Sequence, residues 1–121
     1  GEMEALADRV VVEILEHVTW DLTLENIVHV VKRGVEFAEI VCHGRPGREK
    51  MQVLMMAIQC LMERGELFQP TSPHLLHLVP GIVEALLQVD REGMAVNTKA
   101  LQRLKKAARR LRCLASKQTP N

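Results

Sequence analysis

Residues 48–63 leave this chain the fewest options. Within them runs Met-Gln-Val-Leu-Met-Met-Ala-Ile-Gln-Cys-Leu-Met, positions 51–62. At 100° per residue, only Arg48, Gln52, Gln59 and Glu63 line up as a polar stripe. A helix here shows water a thin edge and is apolar nearly all round. At 1.5 Å per residue it is about 24 Å long. That falls short of the ~20 clean apolar residues a bilayer demands, and charges flank it at both ends. The stretch therefore predicts a central core helix rather than a membrane span, with Val53, Leu54, Ala57, Ile58 and Leu61 withdrawn from water.

What packs around such a helix is set by the rest of the composition. The 121 residues suit one domain, 1–121, able to bury roughly two thirds of its unfolded surface without staples. Trp20, Phe37 and Phe68 are the only aromatics and there is no Tyr, so Leu, Val, Ile, Met and Ala must fill the interior, a palette that suits helices. Cys42, Cys60 and Cys113 cannot all pair within one chain, and each lies in or beside an apolar helical stretch. Free thiols in a reducing compartment are expected. With no signal-peptide pattern at the start, the expectation is an intracellular protein, cytoplasmic or nuclear, that does not engage a membrane.

Along the chain, residues 3–18 read as an amphipathic helix, with Leu6, Val10, Ile14 and Val18 at i+4 spacing and Val11 and Leu15 beside them. Thr23 is a suitable N-cap for a second helix reaching about Cys42, buried through Leu24, Ile27, Val28, Val31, Val35, Ala38 and Val41. Gly34 inside it suits a close helix contact. Residues 43–47, His-Gly-Arg-Pro-Gly, break the pattern before the central helix. A second loop ends in Ser72 as N-cap and Pro73 at N1. The apolar segment 73–90 carries Pro80, which predicts a kink or a fresh helix start. Gly93 reads as a helix stop and 94–96 as a short extended piece. Asn97 or Thr98 then caps a last helix over about 98–116, with 117–121 as a disordered tail. With no strand pattern of any length, the fold class expected is all-α, a single-domain antiparallel helical bundle of five or six helices.

Three groups of residues stand together in a recognisable order: Asp21-Leu22-Thr23-Leu24-Glu25-Asn26, then Gly47-Arg48-Glu49-Lys50 opening the apolar helix, then Leu78-Val79-Pro80-Gly81-Ile82-Val83 followed by Gly93-Met94-Ala95-Val96-Asn97. This order resembles small, functionally obscure helical proteins of large DNA viruses of the iridovirus and giant-virus type, in which a Gly-x-Glu-Lys helix start and a late Gly-containing turn ending in Asn recur. The likeness covers about residues 21–97 and leaves the last helix outside. It implies a helical fold and a viral origin, hence a virus-infected host cell, and no known activity.

The last helix carries the most unusual feature. The net charge of +1 hides a segregation: residues 1–94 hold 15 acids against 8 bases, whereas residues 95–121 hold 8 bases and no acid. On a helical wheel Lys99, Arg103, Lys106 and Arg110 share one line, with Lys105, Arg109 and Arg112 in the adjacent sector. Leu101, Leu104, Ala108, Leu111 and Ala115 lie opposite. These seven bases are the candidate partner-binding residues. An acidic protein surface is the partner they fit first, and a phosphate backbone, bound without regard to sequence, is the alternative. The competing readings are a solvated face, or a basic helix docked on the acidic body. The scarcity of aromatics argues against base stacking on single strands.

The remaining constellations point to no chemistry. Residues 44–48, Gly-Arg-Pro-Gly-Arg, could offer amides and guanidiniums to an anion and resemble part of an AT-hook core, but they read first as a turn. His74 and His77 with Cys60, or with Cys42 and His43, match no zinc spacing. Cys42 and His43 are chain neighbours, which keeps them from facing each other as nucleophile and base. No P-loop, G-x-S-x-G or carboxylate pair occurs, and no cofactor is expected. The sequence thus predicts a non-enzymatic helical module that binds an acidic partner through its last helix, self-associates, or does both.

Overall fold

In the computed structural model the apolar stretch is α3, Gly47–Arg64, and residues 1–17, 24–64 and 73–118 are described. Val53, Leu54, Ala57, Ile58 and Leu61 are all fully buried, as its near-continuous apolar circumference requires. Around α3 pack α1 (Glu2–His17), α2 (Leu24–Val41), α4 (Pro73–Leu86) and the strands β1 (Leu87–Val89) and β2 (Met94–Val96). The fifth helix, α5 (Thr98–Gln118), rests on α2 and α4. The described residues are thus mostly helical, with five helices and one two-stranded antiparallel sheet.

The buried side chains form one core. Helix α1 contributes Ala7, Val10, Val11 and Ile14, while Val12 at the end of its valine run is exposed, as a helical rather than an extended period demands. Helix α2 buries the expected Ile27, Val28, Val31, Val35 and Ala38 and also Val30. Gly34 lies where α1, α2 and α3 meet. A Cβ there would stand 2.5 Å from Leu54 Cδ1 and 3.7 Å from Ile14 Cδ1, so the hydrogen side chain is what lets α2 approach. The expected caps Thr23 and Ser72, the side chain of Leu24 and the aromatic Trp20 and Phe68 lie outside the described residues.

Of the two outcomes expected at Pro80, the new helix start does not occur: the proline sits exposed within the single helix Pro73–Leu86, so the missing amide bond falls on the outer side. The end of α4 brings a correction. The apolar run does not stay helical to Asp90, and the expected absence of strands fails. Leu87, Gln88 and Val89 pair with Val96, Ala95 and Met94 in an antiparallel hairpin. Three residues per strand are too few to display a period of two, and Leu86-Leu87 reads equally well as more helix.

The hairpin is made by its turn and by two distant side chains. The Asp90 amide donates to the Gly93 carbonyl (2.9 Å), and Asp90 Oδ1 accepts from the amides of Glu92 (2.9 Å) and Gly93 (2.8 Å). From α3, the buried Lys50 Nζ donates to Glu39 Oε2 of α2 (2.6 Å) and to the Glu92 carbonyl (3.2 Å). Glu39 Oε1 accepts the outward amide of Met94 (2.9 Å). Burial pushes the Glu39 carboxyl up, but the hydrogen bonds from Lys50 and Met94 and the Lys50 charge outweigh burial and the nearby Asp90, and hold it below its ordinary value. Gly47 presses against the same turn: its amide donates to the Arg91 carbonyl (3.3 Å), and a Cβ on it would overlap the carbonyl oxygens of Asp90 and Gly93. The Gly47–Lys50 and Gly93–Asn97 segments, far apart in sequence, therefore meet in one lock.

Candidate functional site

The hairpin hands the chain directly to α5. The Asn97 amide donates to the Leu86 carbonyl (2.6 Å), which fixes the residue at the end of the ladder. Its side-chain Oδ1 then accepts the Ala100 amide (3.3 Å) and its carbonyl accepts the Leu101 amide (2.9 Å). Asn97 is therefore the N-cap and Thr98 the first helical residue. The helix runs two residues beyond the expected Ser116, so Lys117 and Gln118 are helical rather than part of a disordered tail. Both are good helix formers, and Thr119, outside the described residues, is the one that precedes a proline.

Among the described side chains of α5, those of the first turns are held down. Ala100, Leu101 and Leu104 are partly buried against the core. From Lys105 through Arg110, every residue whose side chain is described is exposed, Ala107 included. Lys99, Arg103, Lys105, Lys106, Arg109 and Arg110 are all exposed, and the side chain of Arg112 lies outside the described residues. Among the described residues the ion pairs join Glu2 to Arg45, Glu13 to His17, Arg33 to Glu36, Glu39 to Lys50, Arg45 to Glu49 and the N-terminus to Glu4; none reaches α5. The acidic body does not neutralise this helix through those carboxylates.

The other sequence candidates fall into structural roles. Gly44 takes φ +85°, the left-handed turn conformation that glycine tolerates. Arg45 bonds Glu2 across the fold and pairs with Glu49 (3.8 Å), and the Glu49 and Lys50 amides donate to the Pro46 carbonyl. Most of the α3 N-terminus is thus already satisfied, leaving residues 44–48 as a turn. Cys42 is fully buried while its neighbour His43 is exposed, so the two point apart. Burial pushes the Cys42 thiol up, against the opposing charges of Arg45 and Lys50. Cys42 and Cys60 are free thiols; the side chains of Cys113 and His74 lie outside the described residues.

One grouping escaped the sequence reading. Glu13, Glu16 and His17, at i, i+3 and i+4 on α1, bring possible ligand atoms within 4.8 Å of one another. The spacing was visible, yet exposed carboxylates at helical spacing are commonplace. His17 is otherwise engaged: its Nδ1 donates to the Glu13 carbonyl (2.8 Å) and its ring lies 5.2 Å from that of Phe37. No helix among the described residues is long and apolar enough to cross a membrane. No protein-family model, curated protein or solved structure matches the chain.

Proposed function

We propose that this chain is a non-enzymatic helical interaction module that binds an acidic protein surface through the basic face of α5. The observation that carries the reading is the exposure of Lys99, Arg103, Lys105, Lys106, Arg109 and Arg110, with no ion pair to any described carboxylate. Lys99 and Arg103, Lys105 and Arg109, and Lys106 and Arg110 are like charges at i,i+4. Each such pair destabilises an isolated helix by about 0.2–0.5 kcal/mol. A face that lowers the stability of its own helix, and that no described carboxylate offsets, makes sense as a surface completed by a partner. The free thiols of Cys42 and Cys60 suit a reducing compartment, and the viral likeness supports an infected cell as the setting.

The test is a titration of fluorescent poly-glutamate, a short DNA duplex and single-stranded RNA at two salt concentrations. It uses the wild type and the triple variant Arg103→Glu, Lys106→Glu, Arg110→Glu. The expected result is salt-sensitive binding of poly-glutamate that the variant loses by more than about tenfold while keeping its fold, because exposed charges contribute little to stability. Tighter binding of duplex or RNA, with a steep salt dependence, would replace the acidic protein by a phosphate backbone. Equal binding by the variant, or destabilisation of the variant without any loss of ligand, would overturn the partner role.

A further inference from the structure

The hairpin that orients α5 has an outer edge that no described residue pairs with along Val89. In an antiparallel pair, residues alternate between those that exchange backbone hydrogen bonds and those whose amides and carbonyls point outward. The bonds from Asp90 to Gly93 and from Asn97 to Leu86 set the phase: the exchanging positions of β1 are even-numbered, and Leu87 and Val89 face away from β2. The outward groups of the hairpin confirm the parity. On the β2 side the Met94 amide meets Glu39, and on the β1 side the Arg91 carbonyl meets the Gly47 amide. Two residues before Arg91 on that same edge, the amide and carbonyl of Val89 have no partner among the described residues.

A cleft of about 690 Å³ opens alongside, lined by Pro46, Arg48, Val89, Asp90 and Arg91. Its apolar surface comes from Pro46 and from Val89, which is 38% exposed. Its charge comes from two guanidiniums that form no ion pair among the described residues, while Asp90 turns one carboxylate oxygen into the hairpin turn to accept two amides. An open strand edge recruits an extended chain, and unpaired arginines beside it select carboxylates. We propose that the outer edge of β1 takes an extended, carboxylate-bearing segment of a partner protein as an added strand, its backbone bonded to Val89 and its acidic side chains on Arg48 and Arg91. This site uses none of the α5 residues and stands whether or not α5 binds a partner.

The probe is a capped short peptide alternating valine and glutamate, titrated into the full-length protein with backbone amide shifts followed by NMR. Val89→Pro removes the outward amide without removing a ladder bond, because Val89 and Met94 are a non-exchanging pair, and proline is tolerated on strand edges in that orientation. Val89→Pro is expected to weaken the peptide about tenfold, and Arg48→Glu with Arg91→Glu at least as much. Arg48→Lys with Arg91→Lys should retain part of the affinity, and the α5 triple variant should keep it all. Shifts in the wild type must centre on Val89 and its neighbours. A peptide that binds Val89→Pro and the double arginine reversal as it binds wild type, shifts confined to α5, effective competition by inorganic phosphate, or no binding to wild type would each overturn the proposal. If a variant unfolds, the wild-type shift map and the phosphate competition decide alone.

Discussion

Replacing Gly47 by Ala adds a single methyl, and the structure says where it must go. The ideal Cβ position overlaps the carbonyl oxygens of Asp90 and Gly93 and lies 2.8 Å from the Gly93 carbonyl carbon. These are backbone atoms of a hydrogen-bonded turn, so no rotamer change relieves the overlap. To restore ordinary contact the turn must withdraw by about 1 Å. That motion breaks the bond from the Gly47 amide to the Arg91 carbonyl, and the one from Lys50 Nζ to the Glu92 carbonyl. A neutral hydrogen bond is worth about 1 kcal/mol and one from a charged donor about 1.5–3 kcal/mol. Alanine returns at most about 1 kcal/mol through its better helix propensity. The expected loss is about 2–3 kcal/mol in urea denaturation followed by circular dichroism, with an unchanged slope. Gly81→Ala is the matched control, since a Cβ there meets nothing within 4 Å. It should leave stability unchanged or raise it by up to about 1 kcal/mol. A Gly47→Ala protein within about 0.5 kcal/mol of wild type would refute the reasoning, because that is the range of substitutions touching nothing.

Leu54→Ala removes a fully buried side chain beneath Gly34 and should cost about 2–5 kcal/mol by the same denaturation assay; a cost below about 1 kcal/mol would contradict the central place of α3. The Glu39 carboxyl is held below its ordinary 4.5, so its contribution is complete above about pH 4.5 and is lost as pH falls through the lower folded value. The stability difference between wild type and Glu39→Gln should therefore shrink across that acid window, and a difference that does not change with pH would remove the ion pair from the account. In a Cys113→Ser background, a thiol reagent should label the half-buried Cys60 of the native protein well before the buried Cys42, whose thiolate burial disfavours. Equal rates would mean that the core opens as readily at Cys42 as at Cys60.

The helices were readable because each writes its own period. The five buried positions of α3 follow from its wheel, and Gly34 announced a close contact that Leu54 indeed makes. Of the hairpin, residues 94–96 were readable as extended and form β2, whereas β1 and the pairing were not, since Glu39 and Lys50, which hold the hairpin, are supplied from two other elements. Lys50 looked like an ordinary first-turn lysine, and its burial depends on a turn 42 residues away. For α5 the apolar and basic sectors could be drawn from the sequence alone. Whether carboxylates of the acidic body would come round to meet the basic sector is a three-dimensional question that no wheel answers. The β1 edge is further still from the sequence, because its open groups belong to the backbone and its cleft is shared between the start of α3 and the distant hairpin.

The lock that ties Met94 to Glu39 and Glu92 to Lys50 closes chain segments of 55 and 42 residues. Loop closure on that scale costs entropy before any bond repays it, so these contacts form after the local helices rather than with them. Until they do, Asn97 has no ladder to hold it and the basic helix no fixed direction, although its sequence is free to coil from the moment it is made. The direction in which this chain points its charges is therefore settled late in folding, by residues far upstream of the charges themselves.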